Sequence, residues 1–473
     1  MAYSRYWVGL IGILMGIVAG FLIGVNPLYV GLILFVPAFI TFFFKKFELT
    51  VIGLLILRSA LDPFSDQGLT GAFAIGISAL TLIYVIVRLL SKQTVHIDSF
   101  WCFFAGWLVV QGIWVVLLPL SGLGFGSEYL SDAVREWVRV LSWLMSYLLT
   151  LQLKERLHPE QIVNSLFLAL VIPLSTAFLQ LVVPGQFLPS FLAVNANQHD
   201  FRINGTLGVA NTFVTFLIFF IGLVYWKLSI AQKRLPWFLL LGILVFYLVT
   251  TKVLVGIGML VVLIATLVIP RLNFAKTFGG ILLLAVMVGL FASTDYGRER
   301  LTSITQTPLL NPDIDVSRAV LLAASDDNSF NWRIAQWTSL VGHWQHFPLL
   351  GYGLQTTNAL GPMFAWAHND YVRALVEEGI VGLVLFLLFL GVQLLRLLQI
   401  IRSPLSEPSQ KQFCSVLFAF LLAAMVGMLT ENVWSHTALF FYWFSMLAIA
   451  SWNWSKFPLR SDSSTALRSV HFQ

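Results

Sequence analysis

The residues best suited to chemistry lie in one stretch of this chain, positions 331–382, which is rich in polar side chains while its surroundings are apolar. Arg333 stands in the first turn of a predicted helix, a glycine turn follows at 351–353, and His368 precedes a strongly apolar helix. A guanidinium keeps its charge and matches phosphate oxygens, whereas a neutral imidazole can accept a proton at neutral pH. These residue types, beside a glycine turn, indicate a site for an anionic ligand.

Two further polar segments precede predicted helices. Arg202 is followed by a glycine turn and by Asn211, and backbone N–H donors at a helix start could hold an oxyanion together with the guanidinium. Lys252 follows two threonines between two apolar runs. A lysine so close to hydrocarbon either faces a cavity or extends to the head groups, so both interpretations remain open.

The composition is that of a membrane protein built from helices. The chain is 58% hydrophobic and 11% charged, with a mean hydropathy of +0.85, which predicts an all-α polytopic protein. Cys102 and Cys414 both fall in apolar runs, which argues against a disulfide or a thiolate metal site. The basic residues form no aromatic-interleaved patch, so we expect no nucleic-acid partner.

The hydropathy pattern predicts fourteen transmembrane spans, and twelve or thirteen would also fit. Some segments are shorter than the roughly 20 residues that a straight helix needs to cross the hydrocarbon core, so they could be tilted or re-entrant. The predicted spans are 7–25, 28–44, 47–60, 69–87, 100–120, 137–153, 161–183, 208–226, 236–251, 253–269, 275–293, 374–395, 412–431 and 436–454. We predict a single transmembrane domain over 1–473.

The distribution of lysine and arginine predicts the orientation. Most of these residues fall in alternate connections on one side of the fourteen spans, and the positive-inside rule makes that side cytoplasmic. Both termini are then cytoplasmic, and the segment 294–373 becomes a large extracytoplasmic loop containing short helices. The serine-rich, basic tail 456–473 is predicted to be disordered on the cytoplasmic side.

A set of motifs in a fixed order resembles the O-antigen ligase and polymerase superfamily, which are bacterial membrane glycosyltransferases. The resemblance covers about residues 200–400. The motifs are Arg202-x-x-Gly205-Thr206-x-Gly208-x-x-Asn211, Trp332-Arg333-x-x-x-x-Trp337, Pro348-x-x-Gly351-x-Gly353, His368-Asn369-x-Tyr371 and Glu378-Gly379-x-x-Gly382.

The resemblance implies an enzyme that moves a glycan from an undecaprenyl diphosphate carrier to a hydroxyl of another glycan at the outer face of the inner membrane. It implies that Arg202 and Arg333 bind the diphosphate and that His368 serves catalysis, for which we expect the role of general base. No cofactor or metal is expected, because no clustered carboxylate site for magnesium is evident. Further substrate-binding candidates are Lys252, Asn211, Asn369, Asp370, Tyr371 and Arg373.

The chain departs from the family pattern in two places. Val209 and Ala210 replace the usual His-Pro or Asp-Pro before the asparagine, which changes a turn. Thr251 and Lys252 replace the usual Ser-Arg, so that a point charge stands where a forked donor is expected. Such a lysine could hold a phosphate, but not through two parallel hydrogen bonds.

Each site residue also has a structural interpretation. His368 could cap the helix that follows it, and Arg202 could anchor a helix at the head groups. Arg333 could pair with Asp326 or Asp327 on a solvated loop.

The predicted partners are a carrier-linked oligosaccharide donor, a glycan or lipid A core acceptor and membrane lipids, and a chain-length regulator is a further candidate. Polymerase is preferred over ligase, solely on the His-Asn-Asp-Tyr-x-Arg sequence at 368–373. A solute or bicarbonate transporter is the alternative of another class, although transporters usually carry repeats and mid-membrane polar sites, which we do not find. A flippase partner without chemistry is a third possibility.

Overall fold

The described part of the protein consists of helices and their connections. The computed structural model describes residues 27–120, 122–192, 202–268, 298, 302, 308, 311, 313–324, 329–361 and 365–456. The predicted spans 7–25 and 275–293, the residues Asp326 and Asp327, and the tail from 457 onward lie outside these residues. Within them no strand occurs.

The α-helices of the described residues are numbered in chain order. They are α1 (Pro27–Lys45), α2 (Phe47–Arg58), α3 (Leu69–Leu90), α4 (Ser99–Leu117), α5 (Leu130–Leu151), α6 (Pro159–Leu166), α7 (Val171–Val182), α8 (Ala210–Ile230), α9 (Leu235–Thr250), α10 (Leu254–Val268), α11 (Val316–Ala324), α12 (Ser329–Trp344), α13 (Thr357–Leu360), α14 (Asp370–Arg402), α15 (Pro408–Gly427) and α16 (Thr437–Ala450).

Six helical segments of the described chain are long and apolar enough to cross a membrane. They are α3, α4, α6 with α7, α8, α14 and α15. Shorter apolar helices are Val36–Lys45, α9, α10 and α16. The chain is therefore an all-α polytopic membrane protein, as predicted. The short helices α11, α12 and α13 fall within the predicted extracytoplasmic loop.

The predicted span 161–183 is interrupted in its middle. Helix α6 ends at Leu166, a 3-10 turn covers Phe167–Leu170, and α7 continues from Val171. Pro173 has no N–H to donate to the carbonyl of Ala169, as a continuous α-helix would require. That carbonyl instead accepts a hydrogen bond from Ser59 Oγ at 2.8 Å, so the interruption joins this segment to the end of α2.

Helix α5 starts earlier than the predicted span 137–153 because it is amphipathic. Its first three turns carry Asp132, Arg135, Glu136 and Arg139, which lower the mean hydropathy of this part of the sequence. The same helix buries Ala133, Glu136, Val140, Trp143 and Tyr147 along one face. Charged groups at this end of α5 thus reach the polar end of the bundle while the rest of the helix packs in the core.

Helix α14 is broken near its start by Gly379. This residue has φ 68° and ψ −168°, a conformation that favours glycine. Segment 348–353 inserts at the break: the N–H of Ile380 donates to Pro348 O at 2.9 Å, and the N–H of Gly353 donates to Glu377 O at 2.8 Å. The segment that includes the predicted glycine turn therefore pairs with backbone groups on both sides of the break.

Polar contacts join the helix ends at one end of the bundle. The start of α8 and the approach to α14 both contact Glu431, in the connection between α15 and α16, through Asn211 and His368. The start of α14 contacts the start of α5 through Arg373 and Glu136, whose nearest atoms are 3.6 Å apart. These residues define the polar end of the bundle, which holds the candidate site.

Candidate functional site

His368 is held immediately before helix α14. Asn369 is the residue that caps this helix, and its side-chain oxygen accepts from the N–H groups of Tyr371 and Val372 at 3.0 Å each. The cap fixes the chain direction, and His368 has φ 47°, a strained value for a residue with a side chain. Its imidazole is 26% exposed and therefore accessible to a substrate.

Glu431 is the carboxylate partner of this histidine. Its Oε1 lies 3.3 Å from His368 Nδ1, and it is buried. The other oxygen, Oε2, accepts from Asn211 Nδ2, and the N–H of Asn432 donates to Oε1 at 3.1 Å. A carboxylate placed at one ring nitrogen leaves the opposite nitrogen, Nε2, as the one that can take a proton.

Glu431 is an anion in this environment. Burial raises the pKa of its carboxyl, but the hydrogen bond and the charge of His368 outweigh the burial, so that the pKa lies below its ordinary value. A buried anion at this position stabilises an imidazolium when His368 accepts a proton.

A second histidine lies behind Glu431. His436 is buried, and its Nδ1 lies 2.8 Å from Thr215 Oγ1 in helix α8. Burial lowers the pKa of His436 to about 4, against the opposing attraction of Glu431. His436 is therefore neutral at neutral pH and adds no positive charge beside Glu431.

Arg333 is brought to the same carboxylate by helix α12. Trp337 and Gln336 donate to the carbonyls of Ala367 and Ala365 at 2.6 and 2.8 Å, which fixes the helix beside the segment that carries His368. The ring of Trp332 lies 5.3 Å from the imidazole, edge to face.

Arg333 also lies near Arg202. The pKa of Arg333 is lowered, first by burial and also by repulsion from Arg202, while attraction to Glu431 opposes both. Two guanidinium groups that repel each other are stabilised when a multivalent anion binds between them. The structure thus brings together His368, to which the family resemblance assigns catalysis, and the two arginines, to which it assigns binding of the diphosphate.

Arg202 lines a cavity of about 290 Å³ beside a tight turn. Gln180 Oε1 accepts from the N–H groups of Asn204 and Gly205 at 3.1 and 3.0 Å and so fixes the turn. Gly205 has φ 57°, and a Cβ there would meet the carbonyl of Pro173 at 2.8 Å. The polar lining also includes Ser65, Asp66, Ser190, Asn204 and Thr206.

Asp370 and Arg373 lie in a buried ion cluster. Arg373 Nε is 3.2 Å from Asp370 Oδ1, and its Nη1 is 3.6 Å from both Glu136 and Glu377. Asp370 Oδ2 also accepts from the N–H of Trp434 at 2.8 Å. These contacts tie α14 to α5 and to the connection before α16, and a substrate-binding role of the two residues stays a prediction.

Three more predicted substrate-binding residues have structural contacts. Asn369 Nδ2 donates to Leu429 O at 2.9 Å, and the Tyr371 hydroxyl donates to Met425 O at 2.8 Å. Lys252 is exposed, with φ 55°, in the turn between α9 and α10. Their roles toward a substrate also stay predictions.

Glu431 is the residue that the sequence analysis missed. The predicted span 412–431 ends at Glu431. In the structure α15 ends at Gly427, and Glu431 lies in the connection that follows. The available signal was a carboxylate in a short link between two apolar segments on the predicted outer side, where a charge is costly without a partner.

Residues 236–387 match the family described as O-antigen ligase. This segment runs from the start of α9 through the break in α14 and includes Lys252, Arg333 and His368. None of the curated proteins compared matches the chain. Over these residues, about a third of the chain, the protein is similar to the O-antigen ligase family, in agreement with the resemblance of its motifs.

Proposed function

We propose that this protein transfers a glycan from an undecaprenyl diphosphate carrier to a hydroxyl of a second glycan. One observation carries the proposal: the carboxylate of Glu431 interacts with His368 and, electrostatically, with Arg333, which in turn interacts with Arg202. A proton acceptor and two permanent cations thus occupy one end of the helical bundle. Both are needed for displacement of a diphosphate by an alcohol.

The arginines suit the donor. A glycosyl diphosphate is already activated, so the protein must hold two charged phosphates and stabilise the charge that grows on the leaving diphosphate. The guanidinium groups of Arg202 and Arg333 match phosphate oxygens and stay charged. An anion between them would also relieve their mutual repulsion, which supports binding of a diphosphate at this position.

His368 suits the acceptor. In the proposed step, Nε2 of His368 takes the proton of the acceptor hydroxyl as its oxygen attacks the anomeric carbon. A new glycosidic C–O bond forms while the bond between that carbon and the phosphate oxygen breaks, and the electron pair leaves with the diphosphate. Glu431 stabilises the resulting imidazolium. Direct attack without an enzyme nucleophile inverts the anomeric configuration.

The proposed reaction takes place at the outer face of the bacterial inner membrane, with both termini cytoplasmic. The distribution of basic residues supports this orientation. Arg58, Arg202, Arg333 and Arg373 fall on the predicted outer side, in agreement with a site that faces away from the cytoplasm.

The acceptor separates two candidate activities. The description of the matching family favours ligation to lipid A core. Polymerisation onto another carrier-linked glycan was preferred on the sequence at 368–373, but Asp370 and Arg373 make buried contacts within the protein. The structural support for the donor site and the base is the same for both activities.

Purified protein in lipid vesicles tests the proposal. Carrier-linked repeat units are supplied with and without lipid A core, and products are separated by size and lipid anchor. Longer carrier-linked chains indicate a polymerase, and transfer only to core indicates a ligase. His368→Ala should abolish either product. Product formation at the unchanged rate in His368→Ala, or solute uptake without glycan transfer, would overturn the proposed function.

A further inference from the structure

A second cavity at the polar end has a lining unlike that of a phosphate site. Its volume is about 400 Å³, and we call it the Trp366 cavity. The residues that line it are Asp132, Arg135, Glu136, Arg139, Gln355, Asn358, Trp366 and Ser435. It shares none of these residues with the cavity that contains Arg202.

The charges of the Trp366 cavity are paired within its wall. Arg135 lies 3.1 Å from Asp132, and Arg139 pairs with Glu136. Glu136 also accepts from Gln355 Nε2 at 2.7 Å. Because each arginine has a carboxylate beside it, a phosphate would meet as many negative charges as positive ones. The wall instead suits a ligand recognised by neutral hydrogen bonds.

Three buried polar atoms of the residues in this wall have no hydrogen-bond partner among the described residues. They are Asn358 Oδ1, Ser435 Oγ and Arg139 Nε. Buried polar atoms are nearly always paired, with protein groups, water or a ligand, so unpaired ones in a cavity wall indicate where a ligand hydroxyl could bond. An amide oxygen and a hydroxyl are suitable partners for sugar hydroxyl groups.

Trp366 adds an aromatic surface to the same cavity. Its side chain is exposed to 40%, which is high for a large apolar group with packed neighbours. An exposed indole face beside hydrogen-bonding groups suits a flat ligand that has an apolar face and a polar edge. A pyranose ring has both.

The Trp366 cavity is close in the chain to the proposed base and its carboxylate. Trp366 precedes His368 by two residues, and Ser435 follows Glu431 by four. Consecutive Cα atoms are about 3.8 Å apart, so the Cα atoms of Trp366 and His368 are at most about 8 Å apart. A sugar in this cavity and a diphosphate near Arg202 could therefore be bound at the same time.

From these observations we infer that the Trp366 cavity binds the acceptor glycan, through the face of one sugar ring and its neutral hydroxyl groups. The inference rests on the proposed function, because it assigns the acceptor of that reaction. It gives the donor and the acceptor separate sites, with Arg202 and Arg333 on the first and Trp366, Asn358 and Ser435 on the second.

Binding of a phosphate-free oligosaccharide tests the inference without requiring catalysis. The probe is the oligosaccharide released from the carrier-linked donor by mild acid, titrated against the purified full-length protein. Trp366→Ala should weaken binding of the oligosaccharide at least tenfold. The single variants Asn358→Ala and Ser435→Ala should each weaken it severalfold. Trp237→Ala, an equal truncation in the first turn of α9, serves as the control and should bind like the unaltered protein.

Three results would overturn the inference. The first is unchanged oligosaccharide binding in folded Trp366→Ala and also in Asn358→Ala and Ser435→Ala. The second is displacement of the oligosaccharide by inorganic pyrophosphate. The third is the absence of oligosaccharide binding to the unaltered protein. If Trp366→Ala does not fold, oligosaccharide binding to Asn358→Ala and Ser435→Ala decides whether the inference holds.

Transfer kinetics separate this inference from the proposed function. Folded Trp366→Ala should raise the KM for the acceptor at least tenfold and leave the KM for the carrier-linked donor unchanged. An unchanged acceptor KM, with His368→Ala inactive, would reject the cavity and retain the glycosyltransferase. A fully active His368→Ala would reject the proposed base whatever Trp366 does.

Discussion

His368 Nδ1 and Glu431 Oε1 lie 3.3 Å apart although 63 positions separate the two residues in the chain. The pair is assembled from the segment before α14 and the connection between α15 and α16, and Asn211 from α8 contacts the same carboxylate. Three membrane-spanning helices therefore have to pack correctly before the proposed base has its carboxylate.

Glu431→Gln should lower the transfer rate about 100-fold, because it removes the charge that stabilises the imidazolium while keeping the side-chain size. Single-turnover rates measure the effect. Glu407→Gln, before α15 at the opposite end, is the control, and an unchanged rate in Glu431→Gln would remove this carboxylate from the mechanism.

Replacing either arginine by lysine should weaken the donor site. Arg202→Lys and Arg333→Lys keep the charge but lose the forked donor geometry, so we expect the KM for the carrier-linked donor to rise about tenfold. Arg318→Lys on the exposed surface of α11 provides the matched control. If neither Arg202→Lys nor Arg333→Lys changes the KM for the carrier-linked donor, the two guanidinium groups have a structural role.

His436 should make the protein less stable in mild acid. Its pKa is lowered to about 4 in the folded state, so between pH 6.5 and 4 the unfolded chain binds more protons and stability falls as pH falls. A shift of this size corresponds to about 3 kcal/mol at pH 4 and below. Thermal unfolding in detergent across this range should show a smaller loss in His436→Gln, and equal losses in both proteins would contradict the prediction.

Gly379→Ala should destabilise the protein by about 2 kcal/mol or more, because its positive φ disfavours a side chain and a Cβ would collide with the Leu349 carbonyl. Gly391→Ala is a matched control in the same helix, where a Cβ meets open space. The control should be neutral or slightly stabilising. Unfolding midpoints compare the two variants, and equal midpoints would mean that the break in α14 does not need glycine.

Arg373→Met tests whether the buried ion cluster is structural. Removing the positive charge between Asp370 and Glu377 leaves these buried carboxylates without their ion-pair partner, which should cost about 3–5 kcal/mol. Expression level and unfolding temperature should both fall. If stability is unchanged while the KM of a substrate rises, the predicted substrate-binding role of Arg373 is the correct one.

Much of the fold could be predicted from the sequence, because membrane solvation acts locally on the chain. Runs such as 69–87 and 208–226 must form helices, since backbone groups in hydrocarbon have to be paired within the segment. The span 161–183 is confirmed within the candidate membrane span Pro159–Val182, although the sequence did not predict the break near Pro173. The span 137–153 was predicted to begin too late, because charges on one face of α5 lower its mean hydropathy.

The sequence by itself determined the kinds of groups at the site, because arginine, histidine and a glycine turn carry their chemistry wherever they lie. Tertiary structure alone decided that His368 meets Glu431, that Asn211 turns toward this carboxylate, and that Arg373 lies beside Glu136 of α5. The physical reason is that such contacts join distant helices. Which helix ends meet depends on how apolar surfaces pack across the whole bundle, and no local pattern records that choice.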